Sequence, residues 1–283
     1  MTYATLITAA ELEHNIASRS WVVFDCRFDL GDPQAGYRAY QAGHLPGARY
    51  ADLDNDLSSP VGPGTGRHPL PDAAALAAWL GKCGVGRDSQ VVAYDAQGGA
   101  IAARLWWLLR WLGHDTVAVL DGGFKAWCDA GYALQSDLPA MLDEAPYPME
   151  VRHAMAIDAQ ELVDALRVER VRLLDARAPA RYRGDQEPLD TVAGHVPGAV
   201  NHSFTDDLDA RGMCLPAGKL RERLTQDIAP FSATDTVCMC GSGVTACHTL
   251  LAMEIAGLGG ARLYAGSWSE WITDPQRPVA TGD

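Results

Sequence analysis

The sequence predicts an α/β protein built as two tandem domains, each a mainly parallel sheet flanked by helices. Three observations carry this prediction. A chain of 283 residues suits two domains of about 150 residues each. Short apolar runs alternate with helical periods, as in parallel sheets covered on both faces. Finally, three landmarks recur in the same order, at offsets of 150, 151 and 144 residues.

The landmarks are local and specific. Phe24-Asp25-Cys26-Arg27 returns as Leu174-Asp175-Ala176-Arg177. Ala42-Gly43-His44-Leu45-Pro46-Gly47-Ala48 returns as Ala193-Gly194-His195-Val196-Pro197-Gly198-Ala199. Leu120-Asp121-Gly122-Gly123, leading to Trp127, returns as Tyr264-Ala265-Gly266-Ser267, leading to Trp271. Chance supplies one such match but hardly three, so the chain reads as a duplicated domain.

In the first copy, the apolar runs 21–24, 91–94 and 117–120 are predicted strands, and 72–80 and 100–112 are predicted helices, the first capped by Asp72. In the second copy, 172–174, 236–239 and 261–264 are predicted strands, with helices over 159–166, 219–224 and 244–256. The stretch from Leu138 to Val151 holds three prolines and no clear period, which marks a linker. The expected domains are therefore residues 1–137 and 154–283, with residues 138–153 between them.

Composition narrows the partners. With 48% hydrophobic and 21% charged residues the profile is that of a soluble globular protein. A net charge of −13 argues against nucleic acid or an anionic membrane as the main partner, and an anionic substrate must be held by locally placed basic groups. No apolar run approaches the roughly 18 residues of a membrane span. The N-terminal stretch from Met1 lacks the basic-then-apolar pattern of an export signal. Seven dispersed cysteines, an odd number, suit a reducing compartment, and the expectation is a cytoplasmic protein.

The chemistry concentrates at Cys240-Gly241-Ser242-Gly243-Val244-Thr245, between a predicted strand and a predicted helix. Backbone N–H groups at a helix start lack internal partners and favour negative charge. A thiol there is expected to react as a thiolate. Gly241 and Gly243 are expected to permit positive φ and to bring the backbone close around the sulfur. Without those glycines, Cys240 would read as a small buried hydrophobe. The first copy places Asp95 where the second has Cys240; a carboxylate cannot accept a sulfur atom, so the first copy is expected to be catalytically silent. His44 and His195 occur in both copies, which favours a turn-bracing role. Cys238 and Cys240 have no second ligand pair at zinc spacing, so no metal is expected. Trp106, Trp107 and Trp111 lie at helical spacing and read as packing residues, whereas Trp268 and Trp271 flank the last predicted turn and are expected to wall the site.

The repeated Gly-His-x-Pro-Gly motifs and the Cys-Gly-Ser-Gly-Val-Thr-Ala loop resemble the two-domain rhodanese-like sulfurtransferases, and the loop is most similar to the 3-mercaptopyruvate branch. The resemblance spans Val22 to Trp271. It implies two rhodanese-like domains, the second one active, and transfer of a sulfane sulfur through a Cys240 persulfide. The acceptor would be cyanide or a thiol, thioredoxin among them, and no cofactor is implied. Thiosulfate-preferring relatives carry basic residues just after the cysteine; here Gly241 and Ser242 are neutral, which suits a monoanionic thiol acid. Arg181 matches an arginine that binds the donor carboxylate in that branch; its bland alternative is a solvated surface arginine. Gly241, Gly243, Val244 and Thr245 would line the substrate loop. Asp54, His68 and Ser242 match a proton relay in which Asp54 orients His68 and His68 addresses Ser242; alternatively, Asp54 and His68 only tie down the loop from Pro60 to Pro71. The branch usually carries Glu-Pro-Arg where this chain reads Glu187-Pro188-Leu189, and Arg183 is a candidate replacement. That departure keeps thiosulfate open as the donor. A non-turnover persulfide carrier is the reading from another class. A related phosphatase would need an arginine six residues after the cysteine, where this chain has Ala246.

Overall fold

The computed structural model describes residues 2–143 and 145–283; Met1, in the N-terminal stretch, and Glu144, in the expected linker, lie outside the described residues. Two compact units emerge. The first comprises Met1–Ser59, Leu70–Arg152 and Ala210–Cys214; the second comprises Pro60–Pro69, His153–Asp209 and Leu215–Asp283. Each repeat therefore lends a short segment to the unit built mainly from the other.

In the first unit, β1 (Leu6–Ile7), α1 (Ala9–Asn15), β2 (Trp21–Asp25), α2 (Ala35–Ala42), β3 (Arg49–Tyr50), α3 (Ala73–Lys82), β4 (Gln90–Tyr94), α4 (Ala102–Trp111), β5 (Val117–Leu120) and α5 (Gly123–Asp129) follow in order. The sheet is parallel throughout, in the order β1-β5-β4-β2-β3. Its central strands are apolar at consecutive positions because both faces are covered: Val22 pairs with Val91 and Val92 with Ala118. Asp72 caps α3, its side chain accepting from the Ala75 N–H at 2.9 Å. Trp106 and Trp107 on α4 are buried, and Val23, Leu45, Val92 and Trp127 share one core cluster.

The second unit repeats the plan with α6 (Ala159–Arg167), β6 (Arg172–Asp175), α7 (Pro179–Tyr182), β7 (Val200–Asn201), α8 (Ala217–Ile228), β8 (Thr236–Met239), α9 (Thr245–Ile255), β9 (Arg262–Leu263) and α10 (Ser267–Trp271). Its sheet, also parallel, runs β7-β6-β8-β9. The core gathers Leu173, Val237, Met239, Tyr264, Trp268 and Trp271. The crossover through β8 leaves Cys240 at the carboxyl end of a central strand, where open α/β sheets place ligands.

The repeated Asp-x-Arg and Gly-His motifs are braces. Asp25 takes the Arg27 guanidinium, which also donates to the Gly43 carbonyl at 2.7 Å. Asp175, Arg177 and Gly194 reproduce this, with the last bond at 2.8 Å. His44 stacks on Tyr40 and His195 on Tyr182, each with Nδ1 bonded to that tyrosine's carbonyl oxygen. Among the described residues, no helix is long and apolar enough to cross a membrane.

Candidate active site

Cys240 follows β8 directly and precedes α9, so the loop 240–244 is a strand-to-helix turn of five residues. The Gly243 N–H donates to Cys240 Sγ at 3.1 Å. Val244, the N-cap of α9, offers no side-chain cap, so the first N–H groups of the helix keep their anion-attracting character. Cys240 and Ser242 are buried, and Thr245 is half-buried.

The two glycines do different things. Gly243 has φ +78°, and a Cβ there would lie 2.2 Å from the Ala265 carbonyl oxygen. Positive φ was expected at Gly241 as well; the left-handed glycines of the chain do not include it. Its missing side chain instead admits guanidinium groups. A Cβ on Gly241 would lie 3.2 Å from Arg67 Nη2 and 3.3 Å from Arg181 Nη1.

Those two arginines are held from behind by carboxylates. Arg181 meets Glu187 through Nε at 3.1 and 3.2 Å and through Nη2 at 2.7 Å, and reaches Asp190 at 3.0 Å. Arg67 Nη1 takes the other Asp190 oxygen at 2.6 Å, and the Arg67 N–H donates to Ser269 Oγ at 2.9 Å. Glu187 also accepts the Leu189 and Asp190 N–H groups, both at 3.1 Å. Charge-assisted bonds of this kind hold a carboxyl group ionised, and the Glu187 pKa is lowered although burial works to raise it.

Arg181 is the arginine expected at the site from the sequence; Arg67, next to the expected His68, joins it over Gly241. Arg183, the suggested replacement for the missing arginine at position 189, is turned to Asp185 at 2.8 Å. Leu189 is exposed. The second guanidinium over Gly241 thus comes from Pro60–Pro69, more than a hundred residues away in sequence. No local motif signals it.

His68 is buried, and its Nδ1 lies 2.7 Å from Ser242 Oγ. Asp54 belongs to the first unit, where its N–H donates to Asp52 Oδ1 at 2.9 Å. Burial, and then the Asp52 charge, raises the Asp54 pKa.

A second turn backs the first. The Cys240 N–H donates to Ser267 Oγ at 3.1 Å, and that hydroxyl donates to the Tyr264 carbonyl at 2.9 Å. Trp268 and Ser269 donate their N–H groups to the Cys240 and Gly241 carbonyls at 3.0 and 2.9 Å. Trp268 therefore supports the loop through its backbone, while its ring stacks on Arg177. Trp271 donates Nε1 to the Pro278 carbonyl at 2.9 Å.

The matching loop of the first unit is filled by its own side chain. Asp95 Oδ1 accepts the Gln97 and Gly99 N–H groups at 2.8 and 2.9 Å, and Oδ2 accepts those of Ile101 and Ala102 at 2.8 and 2.9 Å. A strand-to-helix turn in this fold can therefore satisfy a bound anion with converging backbone N–H groups.

The rhodanese-like domain model matches residues 8–130 and 158–274. A probable 3-mercaptopyruvate sulfurtransferase of Pseudomonas aeruginosa is 50% identical over 285 residues, covering 100% of both chains. A putative thiosulfate sulfurtransferase of Mycobacterium tuberculosis is 40% identical, covering 98% of this chain and 97% of the relative. The solved 3-mercaptopyruvate sulfurtransferase of Leishmania major superimposes with a TM-score of 0.84 at 30% identity, covering 94% of this chain and 74% of that one.

Proposed function

The chain belongs to the rhodanese-like family and is a sulfurtransferase, and on that premise we propose that it moves sulfur from 3-mercaptopyruvate through a persulfide on Cys240. What carries this reading is the convergence of Arg67 and Arg181 on Gly241, directly beside the cysteine. Two planar guanidinium groups suit a carboxylate and an adjacent carbonyl oxygen better than they suit an uncharged donor. The 50% identical relative, named for 3-mercaptopyruvate, supports the same choice.

The steps follow from the donors and acceptors present. The Cys240 thiolate attacks the donor sulfur, a sulfur–sulfur bond forms, and the bond from that sulfur to C3 breaks. Its electron pair goes to the three-carbon fragment as the enolate of pyruvate. The proton first carried by the donor thiol ends on C3, so the products are pyruvate and the Cys240 persulfide anion. Ser242 and His68, 2.7 Å apart, are suited to carry that proton. The Gly243 N–H that meets Sγ at 3.1 Å, with the dipole at the N-terminus of α9, stabilises the charged sulfur. Gly241, Gly243, Val244 and Thr245 form the wall of this cradle.

The acceptor then attacks the outer sulfur. With cyanide, the products are thiocyanate and the Cys240 thiolate; with a small thiol or thioredoxin, the product is the acceptor's persulfide. Seven free cysteines support a reducing, cytoplasmic setting. Residues 154–283 would carry the reacting groups, joined to the silent residues 1–137 by residues 138–153, with Arg67 and His68 supplied from the first repeat.

Thiosulfate is the second reading, favoured by the name of the 40% identical relative and by Leu189 in place of arginine. Comparison of kcat/KM for 3-mercaptopyruvate and thiosulfate, with cyanide as the common acceptor, separates the two. The expected result is a preference of at least about tenfold for 3-mercaptopyruvate; a preference for thiosulfate would overturn the donor assignment. A single turnover with no further thiocyanate would instead indicate a carrier.

A further inference from the structure

Among the described residues, Asp190 is the one carboxylate that touches both guanidinium groups over the cysteine loop. Its Oδ1 meets Arg67 Nη1 at 2.6 Å and its Oδ2 meets Arg181 Nη2 at 3.0 Å. The side chain is only 4% exposed. The nitrogens it leaves, Arg67 Nη2 and Arg181 Nη1, are those nearest Gly241. Arg67 Nε is also buried without a partner.

The charges form one continuous run. Asp175 pairs with Arg177, Arg177 lies 3.6 Å from Glu187, Glu187 holds Arg181, and Asp190 joins Arg181 to Arg67. Three carboxylates offset three guanidiniums, so the run carries no net charge. Two arginines over a sulfur-transfer loop would otherwise present a local charge of +2, suited to a compact dianion.

We propose that Asp190 is a specificity-determining positioning residue: it fixes the spacing of the two guanidiniums and cancels enough of their charge to keep the site selective for a monoanionic, carboxylate-bearing donor against a dianion. This rests on the function proposed above. The interaction of a site charge with a ligand scales with the ligand's own charge. Neutralising Asp190 therefore strengthens the hold on thiosulfate about twice as much as the hold on 3-mercaptopyruvate. It also explains how a second arginine can be present without turning the site into one for sulfur oxyanions.

The test compares the full-length wild type with Asp190→Asn and Asp190→Glu, measuring kcat and KM for 3-mercaptopyruvate and for thiosulfate with cyanide as acceptor. In D190N the ratio of the two kcat/KM values should move towards thiosulfate by about tenfold, chiefly through a lower KM for thiosulfate. D190E, which keeps the charge, should retain the wild-type ratio even if both rates fall. A ratio unchanged within about twofold in D190N, or an equal shift in D190E, would overturn the proposal. Should D190N turn over neither donor, protection of Cys240 from iodoacetamide by sulfate and by pyruvate reads the same balance: sulfate must gain on pyruvate relative to wild type, and its failure to do so counts against Asp190. The wild-type preference alone tests the donor assignment, so a thiosulfate-preferring wild type with a shifted D190N ratio would sink that assignment and leave the charge role of Asp190 standing.

Discussion

Ser267 holds a left-handed backbone at φ +54°, and Gly123, its counterpart in the repeat, holds +56°. Left-handed backbone in a residue with a side chain costs on the order of 1–3 kcal/mol, so a glycine is the cheaper choice. Serine is found instead because its hydroxyl accepts the Cys240 N–H and fixes the loop at that residue. Ser267→Gly should relieve the strain and free that N–H, leaving the melting temperature within a few degrees while kcat/KM falls about tenfold. Ser267→Ala keeps the strain and loses the bond, and should destabilise by about 1–2 kcal/mol in denaturant titration. Cys240→Ser should abolish thiocyanate formation with a native circular dichroism spectrum; turnover near wild type would move the nucleophile elsewhere. At this scale the sequence exposed the residues whose neighbours form a motif: Cys240, Ser242 and Gly243. Arg67 escaped because its significance depends on a partner at Asp190, and spacing along the chain carries no record of that pairing. The different uses of Gly241 and Gly243 were equally hidden, since only packing distinguishes room for a guanidinium from a need for positive φ.

The helix that begins at the cysteine loop is anchored near its first turn by a buried cluster of histidines and aspartates. His202 bonds Asp227 through Nδ1 at 2.7 Å and Asp207 through Nε2 at 3.0 Å, while His248 on α9 lies 3.7 Å from Asp207. Burial works to lower the His202 pKa, but the bonds to Asp207 and Asp227 outweigh it and raise the value to about 9. Asp207 is lowered, its partners His202 and His248 overcoming burial. A histidine raised above its unfolded value of about 6.5 contributes stability that is full below that pH and lost as pH climbs through its folded value. The lowered aspartate contributes above about pH 4 and loses its share as pH falls through the folded value. His202→Gln should therefore be destabilised relative to wild type by about 2–4 kcal/mol near pH 5.5, and the gap should close by about pH 10. A gap independent of pH would show that packing, not charge, is what His202 contributes. The long elements, β4, α4, β8 and α9, were legible because apolar runs and helical periods extend over several residues. The two-residue strands β1, β3 and β7 and the short helices α7 and α10 were not, because they are too short to display a period and owe their form to tertiary pairing.

At the scale of the whole molecule, duplication has produced two loops with opposite solutions to the same electrostatic problem. The first unit fills its cradle with Asp95, whose two oxygens take four N–H groups. In the second, the Gly243 N–H turns to Cys240 Sγ instead. The loops also differ in length: α4 begins seven residues after Asp95, whereas α9 begins five residues after Cys240. Counting on from the shared Asp-x-Arg landmark, Gly31 stands where the second copy has Arg181, so no guanidinium is supplied there. The duplication and this asymmetry could be read from the sequence. The reciprocal exchange of Pro60–Pro69 and Ala210–Cys214 could not, because neither segment carries a repeat or a period. These differences imply that a thiol alone does not make a second site. Loading the wild type with donor should yield about one cyanide-releasable sulfur per chain, and Cys240→Ser should yield none. The double variant Asp95→Cys, Cys240→Ser restores a thiol to the first loop but neither the short turn nor the arginine pair. Its turnover should stay at the level of Cys240→Ser, within about twofold, and recovery of substantial thiocyanate formation would show that the first unit is silent only for want of its cysteine.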